Sequence, residues 1–156
     1  MKFVILAVAI ALIAFYFIKN AKDKKASLQN IEIGNSFLTA NKANPGVVET
    51  ASGLQYQIVK KGDGSVHPSA KSTVKVHYHG TLLDGTVFDS SVERNEPISF
   101  PLNRVIKGWT EGLLLMVAGD TFKFFIPSDL AYGNAATGKI KPGSVLIFEV
   151  DLLEVQ

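Results

Sequence analysis

Cysteine is absent from all 156 residues, which removes disulfide scaffolds, zinc ribbons, CxxC redox motifs and thiol nucleophiles together. Histidine occurs three times and tryptophan once. No GxSxG, HExxH, P-loop or GxGxxG spacing is present, so the signatures of serine hydrolases, zinc proteases and nucleotide-binding folds are missing. There is no internal repeat and no low-complexity tract. A chain of this length holds one domain with an appendage.

The folded part also lacks basic charge. Residues 1 to 25 hold five lysines against Asp23, a balance of +4, and residues 26 to 156 hold eleven basic and thirteen acidic side chains, a balance of −2. The sequence pI of about 8.8 therefore belongs to the N-terminus. Nucleic acid is excluded as a partner, because phosphate recognition needs a basic stripe on the folded domain.

What the N-terminus does have is a long apolar run. Phe3 to Ile18 is sixteen consecutive residues drawn from Ala, Val, Ile, Leu, Phe and one Tyr, a composition foreign to a half-buried surface helix. It reads as a membrane segment, short of the roughly 20 residues that span hydrocarbon comfortably, with Lys2 and Lys19 able to snorkel. A removed signal peptide would show a small-x-small cleavage site. Phe15-Tyr16-Phe17-Ile18-Lys19 shows none, so residues 1–20 are expected to form a retained single-pass signal-anchor in a membrane, contacted through residues 3–18. The lysines after the run would keep the following domain in the cytoplasm by the positive-inside rule.

Residues 21–50 are polar, with Leu28, Ile31, Phe37 and Leu38 at roughly helical spacing before Asn44-Pro45-Gly46. They predict an amphipathic connector helix stopped by proline, with a disordered spacer as the alternative. From residue 51 the period becomes two: Leu54, Tyr56 and Ile58; Val74, Val76 and Tyr78; Phe122, Phe124 and Ile126; Leu146, Phe148, Val150 and Leu152. These are half-buried strands, and Asp84-Gly85 marks a hairpin. Arg104 to Leu115 alone places Val105, Trp109 and Leu113 on a helical face with Ile106 beside them. The expected class is α+β, with one short helix against an antiparallel sheet.

His77 and His79 flank Tyr78 and would face away from it, with no third ligand nearby, so no metal is expected. Asp89, Glu93, Glu96 and Glu111 read as solvated surface groups. Ten Phe, four Tyr and one Trp stand out instead. Most are core, but aromatic walls over an indole also suit a prolyl ring.

Five motifs then appear in order: Val76-His77-Tyr78-His79-Gly80, Gly85-Thr86-Val87-Phe88-Asp89-Ser90-Ser91, Val105-Ile106-Lys107-Gly108-Trp109, Ile126-Pro127-Ser128-Asp129-Leu130-Ala131-Tyr132-Gly133 and Leu146-Ile147-Phe148-Glu149-Val150. Over residues 51–156 the chain resembles the FK506-binding protein (FKBP) family of peptidyl-prolyl isomerases. Residues 34 to 57 look like its bacterial macrophage-infectivity-potentiator branch, whose members are mostly exported. The resemblance implies a twisted antiparallel half-barrel around one short helix. It implies Trp109 as the floor of a proline pocket, Tyr78, Phe88, Phe100, Val105, Ile106 and Phe148 as its walls, Tyr132 as a rim donor, Asp89 beside Tyr78, and Ile140 on the flap side. Tyr78, Asp89, Tyr132 and Phe148 are the expected catalytic set, and the other six bind substrate.

The implied function is cis-trans isomerisation of X-Pro bonds during protein folding, without cofactor, on proline-containing unfolded or folding polypeptides. A non-catalytic proline-binding chaperone or adaptor tethered to the membrane is the alternative. Macrolides of the FK506 type are implied as inhibitors, and the location implied is a bacterial inner membrane with the isomerase domain on the periplasmic side. Three departures from the family pattern are visible: Ile98 beside Phe100 where some members carry two aromatics, Lys139 for an apolar flap residue, and Asn134-Ala135-Ala136 for an Arg-containing run. The long N-terminal helical dimerisation domain of the branch is expected to be missing, with a membrane segment and a connector in its place.

Overall fold

Alternating burial builds the centre of the sheet. The computed structural model describes the backbone of residues 2–156 and the side chains of residues 8–156. In β3 (Thr73–Thr81) every second residue is buried, and in β7 (Leu146–Val155) Leu146, Phe148, Val150 and Leu152 are. The two pair antiparallel, Tyr78 opposite Val150 and Gly80 opposite Phe148. Their inward side chains therefore form one apolar surface, as the period of two requires.

Around this pair lie β1 (Val47–Glu49), β2 (Gln55–Lys60), β4 (Val87–Ser90), β5 (Ile98–Pro101) and β6 (Thr121–Ile126). The order across the seven-stranded sheet is β1-β2-β6-β7-β3-β4, with β5 paired to β3 beside β4. All pairings are antiparallel. Asp84-Gly85 forms the expected turn, with Gly85 at φ 87° and the Leu82 amide bonded to the Thr86 carbonyl.

The short helix is α2 (Lys107–Leu113), narrower than the expected Arg104 to Leu115. Leu102–Arg104 is a 3₁₀ turn and Val105 is extended, so Val105 and Ile106 lie on the approach to the helix and not on its face. Gly108 and Gly112, poor helix formers, are required by proximity to β6. A Cβ at Gly108 would stand 2.5 Å from Ile126 Cγ2, and one at Gly112 would stand 2.6 Å from Phe124 Cε1. The helix thus rests directly on the sheet and seals a core of Leu54, Leu113, Met116, Phe122, Phe124 and Leu152.

α1 (Lys2–Asn41) is one continuous helix of 40 residues, with no break at residue 20. Its last turns dock on the outer face of the sheet. Leu38 and Phe37 pack with Phe125 and Val145, which explains why Phe125 is buried on the side opposite Phe124. The buried Gln55 amide joins helix to sheet: it accepts from Asn41 Nδ2 at 2.9 Å and donates to the Leu38 carbonyl at 2.8 Å and to Glu49 at 2.9 Å. Val47–Glu49 already belongs to the sheet.

The expected transmembrane helix is not supported. Among the described residues no helix is long and apolar enough to cross a membrane. The apolar run of the sequence, Phe3 to Ile18, is sixteen residues followed at once by Lys19, Lys22, Asp23, Lys24 and Lys25, short of the roughly 20 apolar residues that span hydrocarbon comfortably. Residues 3–7 of the run lie outside the residues whose side chains are described.

Candidate active site

Four strands and the approach to α2 converge on a cavity of about 630 Å³. Its floor is Trp109, only 4% exposed, presented by α2. Phe148 from β7 meets the indole edge-on at 5.1 Å, Tyr78 from β3 at 5.4 Å, and Phe100 from β5 is tilted against it at 5.2 Å. Phe88 from β4 meets Phe148 edge-on at 5.2 Å. Edge-to-face pairs of this kind hold rings in fixed orientations, so the cavity is preformed.

Gly80 makes the convergence possible. A Cβ there would stand 2.6 Å from Phe88 Cζ and 2.8 Å from Phe148 Cε1, so a side chain would push both rings out of place. Val105 and Ile106 close one side, and Tyr132 and Ile140, on the chain between β6 and β7, close the other. Tyr132 is 40% exposed, which suits a rim position, while Ile140 is buried. All ten residues expected from the sequence lie around this one cavity.

One polar cluster sits at its edge. The Tyr78 hydroxyl donates to Asp89 Oδ2 at 2.6 Å, and the Arg94 guanidinium donates to Asp89 Oδ1 and, at 3.1 Å, to the Tyr78 hydroxyl. The guanidinium also stands 5.9 Å over the Tyr78 ring, within cation-π range. Burial, and then the Asp89 carboxylate, raise the Tyr78 phenol above its ordinary pKa. Burial alone would raise Asp89 as well, but hydrogen bonds from Tyr78 and Arg94 and the guanidinium charge outweigh it and hold the carboxyl below its ordinary value.

Arg94 was not among the expected residues. It follows Asp89 by five positions through a turn, and the one signal in the sequence is its opposite charge. Arg104 and Lys139 also line the cavity. His77 and His79 point away, bonded through Nδ1 to Ser91 Oγ at 3.0 Å and Ser90 Oγ at 2.9 Å. Glu111, expected as a solvated group, accepts from the Thr50 and Ser52 hydroxyls. Among the described residues no group of three or more His, Asp or Glu could hold a metal ion.

Two predictions follow from the cluster. Removing the guanidinium frees the Tyr78 hydroxyl and Asp89 to reorient, so Arg94→Ala is expected to reduce turnover of a prolyl substrate about fivefold, the upper end of what a solvent-exposed ion pair contributes; unchanged kinetics would sever Arg94 from the site. The pH dependence has a defined sign. A carboxyl with a lowered folded pKa contributes stability above its unfolded value and loses it as pH falls through the folded one. Asp89 therefore stays ionised, and Tyr78 protonated, from about pH 5 to about pH 9. Activity is expected to be flat across that window, and a bell-shaped profile centred near neutrality would contradict it.

Comparisons with known proteins identify the relatives of the chain. Residues 64–153 match the family described as FKBP-type peptidyl-prolyl cis-trans isomerase, and residues 8–58 match the domain amino terminal to FKBP-type peptidyl-prolyl isomerase. That second match corrects the expectation that the branch's N-terminal domain is missing: α1 and the first strands correspond to part of it. The chain is 54% identical over 136 residues to an FKBP-type peptidyl-prolyl cis-trans isomerase FkpA of Aeromonas hydrophila, covering 87% of this chain and 50% of that protein. It is 46% identical over 139 residues to the outer membrane protein MIP of Legionella longbeachae, covering 88% and 59%. The chain thus spans about half the length of these curated relatives. The crystal structure of FkpA from Escherichia coli superposes with a TM-score of 0.87 at 40% identity, covering 96% of this chain and 71% of that one.

Proposed function

Because the chain belongs to the family of FKBP-type peptidyl-prolyl cis-trans isomerases, we propose that it catalyses rotation about X-Pro bonds in unfolded or folding polypeptides, at the cavity over Trp109. The observation that carries the reading is the set of three rings, Phe148, Tyr78 and Phe100, fixed around one buried indole. A prolyl ring is apolar and rigid, and such a cavity binds it by excluding water.

The chemistry follows from the amide. Rotation destroys amide resonance and meets a barrier of about 18 to 20 kcal/mol, which gives uncatalysed times of tens to hundreds of seconds. The planar amide is polar and the twisted one has lost charge separation, so a dry cavity disfavours the ground state more than the twisted state. Trp109, Phe148 and Tyr78 clamp the ring, Phe88, Phe100, Val105, Ile106 and Ile140 complete the apolar wall, and the preceding carbonyl turns past Tyr132 and Asp89. No nucleophile is required, in keeping with a cavity whose carboxylate is already committed to Arg94 and Tyr78.

Refolding of a protein limited by proline isomerisation tests the reading. The full chain should accelerate the slow phase catalytically, and a macrolide of the FK506 type should suppress the acceleration by occupying the same cavity. Binding of prolyl peptides with no acceleration would favour the adaptor.

Location is the finer part of the proposal: attachment to a membrane through residues 3–18, with the domain on the periplasmic side. The exposed side chains of Val8, Ile10, Leu12, Ile13, Phe15, Tyr16, Phe17 and Ile18 on α1 support it, as does the name of the Legionella relative. Extraction of the full chain from membranes by detergent, but not by alkaline wash, is the expected result. Quantitative release by the wash would contradict attachment through this segment.

A further inference from the structure

The chain between Gly133 and Gly143 carries Lys139 and Ile140 over the cavity. This loop is closed on itself: the Gly143 amide donates to the Gly133 carbonyl at 2.8 Å, and Thr137 and Ile140 exchange backbone hydrogen bonds at 3.0 and 2.9 Å. It therefore moves as a unit. Both of its stems rest on α1, far from that helix in sequence.

Ser27, 4% exposed, donates from Oγ to Asn134 Oδ1 at 2.6 Å. One turn on, Asn30 Nδ2 donates to the Pro142 carbonyl at 2.8 Å. Residues 27, 30, 31 and 34 share one helical face, and along it the packing has no slack. A Cβ at Gly143 would stand 2.4 Å from the Ser27 carbonyl oxygen, and one at Gly34 would stand 2.6 Å from Val145 Cγ2. The same face ends at Leu38 and Asn41, which anchor it to the sheet. α1 is thus pinned to the sheet at its C-terminal end and to the cavity's loop about two to four turns before it.

We propose that Ser27 and Asn134 are positioning residues: α1 braces the 133–143 loop so that Tyr132 and Ile140 close the cavity over a bound prolyl ring. The loop has few buried apolar side chains of its own, and segments of that kind open first. The helix supplies the restraint that the loop lacks. A partner or surface that moves the N-terminal half of α1 would then alter the active site through this contact, a coupling carried by a rigid element between two sites. The inference rests on the isomerase reading above.

The test uses the full chain and an X-Pro peptide isomerisation assay on Ser27→Ala, Asn134→Ala, the double variant and Asn134→Asp, which keeps an acceptor for the serine hydroxyl. Each alanine variant is expected to lose about fivefold in kcat/KM, the worth of one hydrogen bond, mostly as a higher KM. The double variant should lose no more than either single, because one contact is removed in all three. Asn134→Asp should return to within about twofold of the parent on the same scale. Amide exchange at Ile140 and Gly143 should speed up in the alanine variants while the sheet amides of β3 and β7 stay protected. Unchanged kcat/KM in all the alanine variants, or equal losses in Asn134→Ala and Asn134→Asp, would overturn the inference. Inactivity of the parent chain would instead overturn the isomerase reading.

Discussion

Phe148→Ala is expected to reduce kcat/KM for an X-Pro substrate about 100-fold, close to 3 kcal/mol of transition-state stabilisation at 1.4 kcal/mol per decade. The ring is the hinge of the aromatic set. It meets Trp109 at 5.1 Å, Phe88 at 5.2 Å and Tyr78 at 6.2 Å, and it lines the cavity directly. Truncation removes one wall, unlocks the other three rings and admits water beside the amide, which cancels the dry environment on which rotation depends. Truncating a buried phenylalanine also costs about 3 to 5 kcal/mol of stability. Phe148→Leu keeps apolar bulk and folds more securely, and its expected loss is about tenfold. Activity equal to the parent in both variants, with folding verified by circular dichroism, would remove Phe148 from the site.

Asp120→Ala is expected to have the opposite profile: a large loss of stability with the cavity intact. Asp120 is buried at the turn between α2 and β6. Its carboxylate accepts from the Gly62 amide at 2.7 Å and the Val117 amide at 2.9 Å, joining the Gly62-Asp63-Gly64 segment to that turn. The crossing is so close that a Cβ at Gly62 would stand 2.3 Å from the Gly119 carbonyl carbon. Alanine leaves two part-buried donors without their carboxylate, at a cost of about 2 to 4 kcal/mol, which lowers Tm by about 5 to 15 °C in a chain of this size. A Tm within about 2 °C of the parent would contradict the role. Well below the transition, turnover per folded molecule should match the parent.

These two residues show which parts of the molecule could be read in advance. The inward faces of β3, β6 and β7 are written as alternation, and Phe148 was legible because a period of two fixes which side of the sheet it faces. Asp120 was not, because its partners are backbone amides at residues 62 and 117, and nothing in a side-chain pattern marks a carboxylate that caps a crossing of two turns. Arg94 escaped for a similar reason: its place over Tyr78 depends on the path of the turn after β4. Val105 and Ile106 were assigned to a helical face by spacing, yet the chain is extended there, since α2 is set by how closely Gly108 and Gly112 let it approach Ile126 and Phe124. Their position in the cavity came from the motif and not from the periodicity.

The N-terminal segment marks the limit of composition as a guide. Its apolar run suggested a separate membrane unit, whereas the backbone continues as one helix through Asn41 and binds the domain through Ser27, Asn30, Leu38 and Asn41. Apart from Leu38, those contacts are made by small and polar residues at helical spacing, which in sequence look the same as a solvated connector.

The central claim is that the cavity over Trp109 accelerates rotation about a prolyl amide. The most direct measurement is the rate of a proline-limited refolding phase with substoichiometric full-length chain, compared with its Phe148→Leu variant. The account predicts a rate that rises in proportion to the parent chain's concentration and drops about tenfold, for the same concentration, in the variant. A refolding rate indistinguishable from the uncatalysed one with the folded parent chain would contradict it.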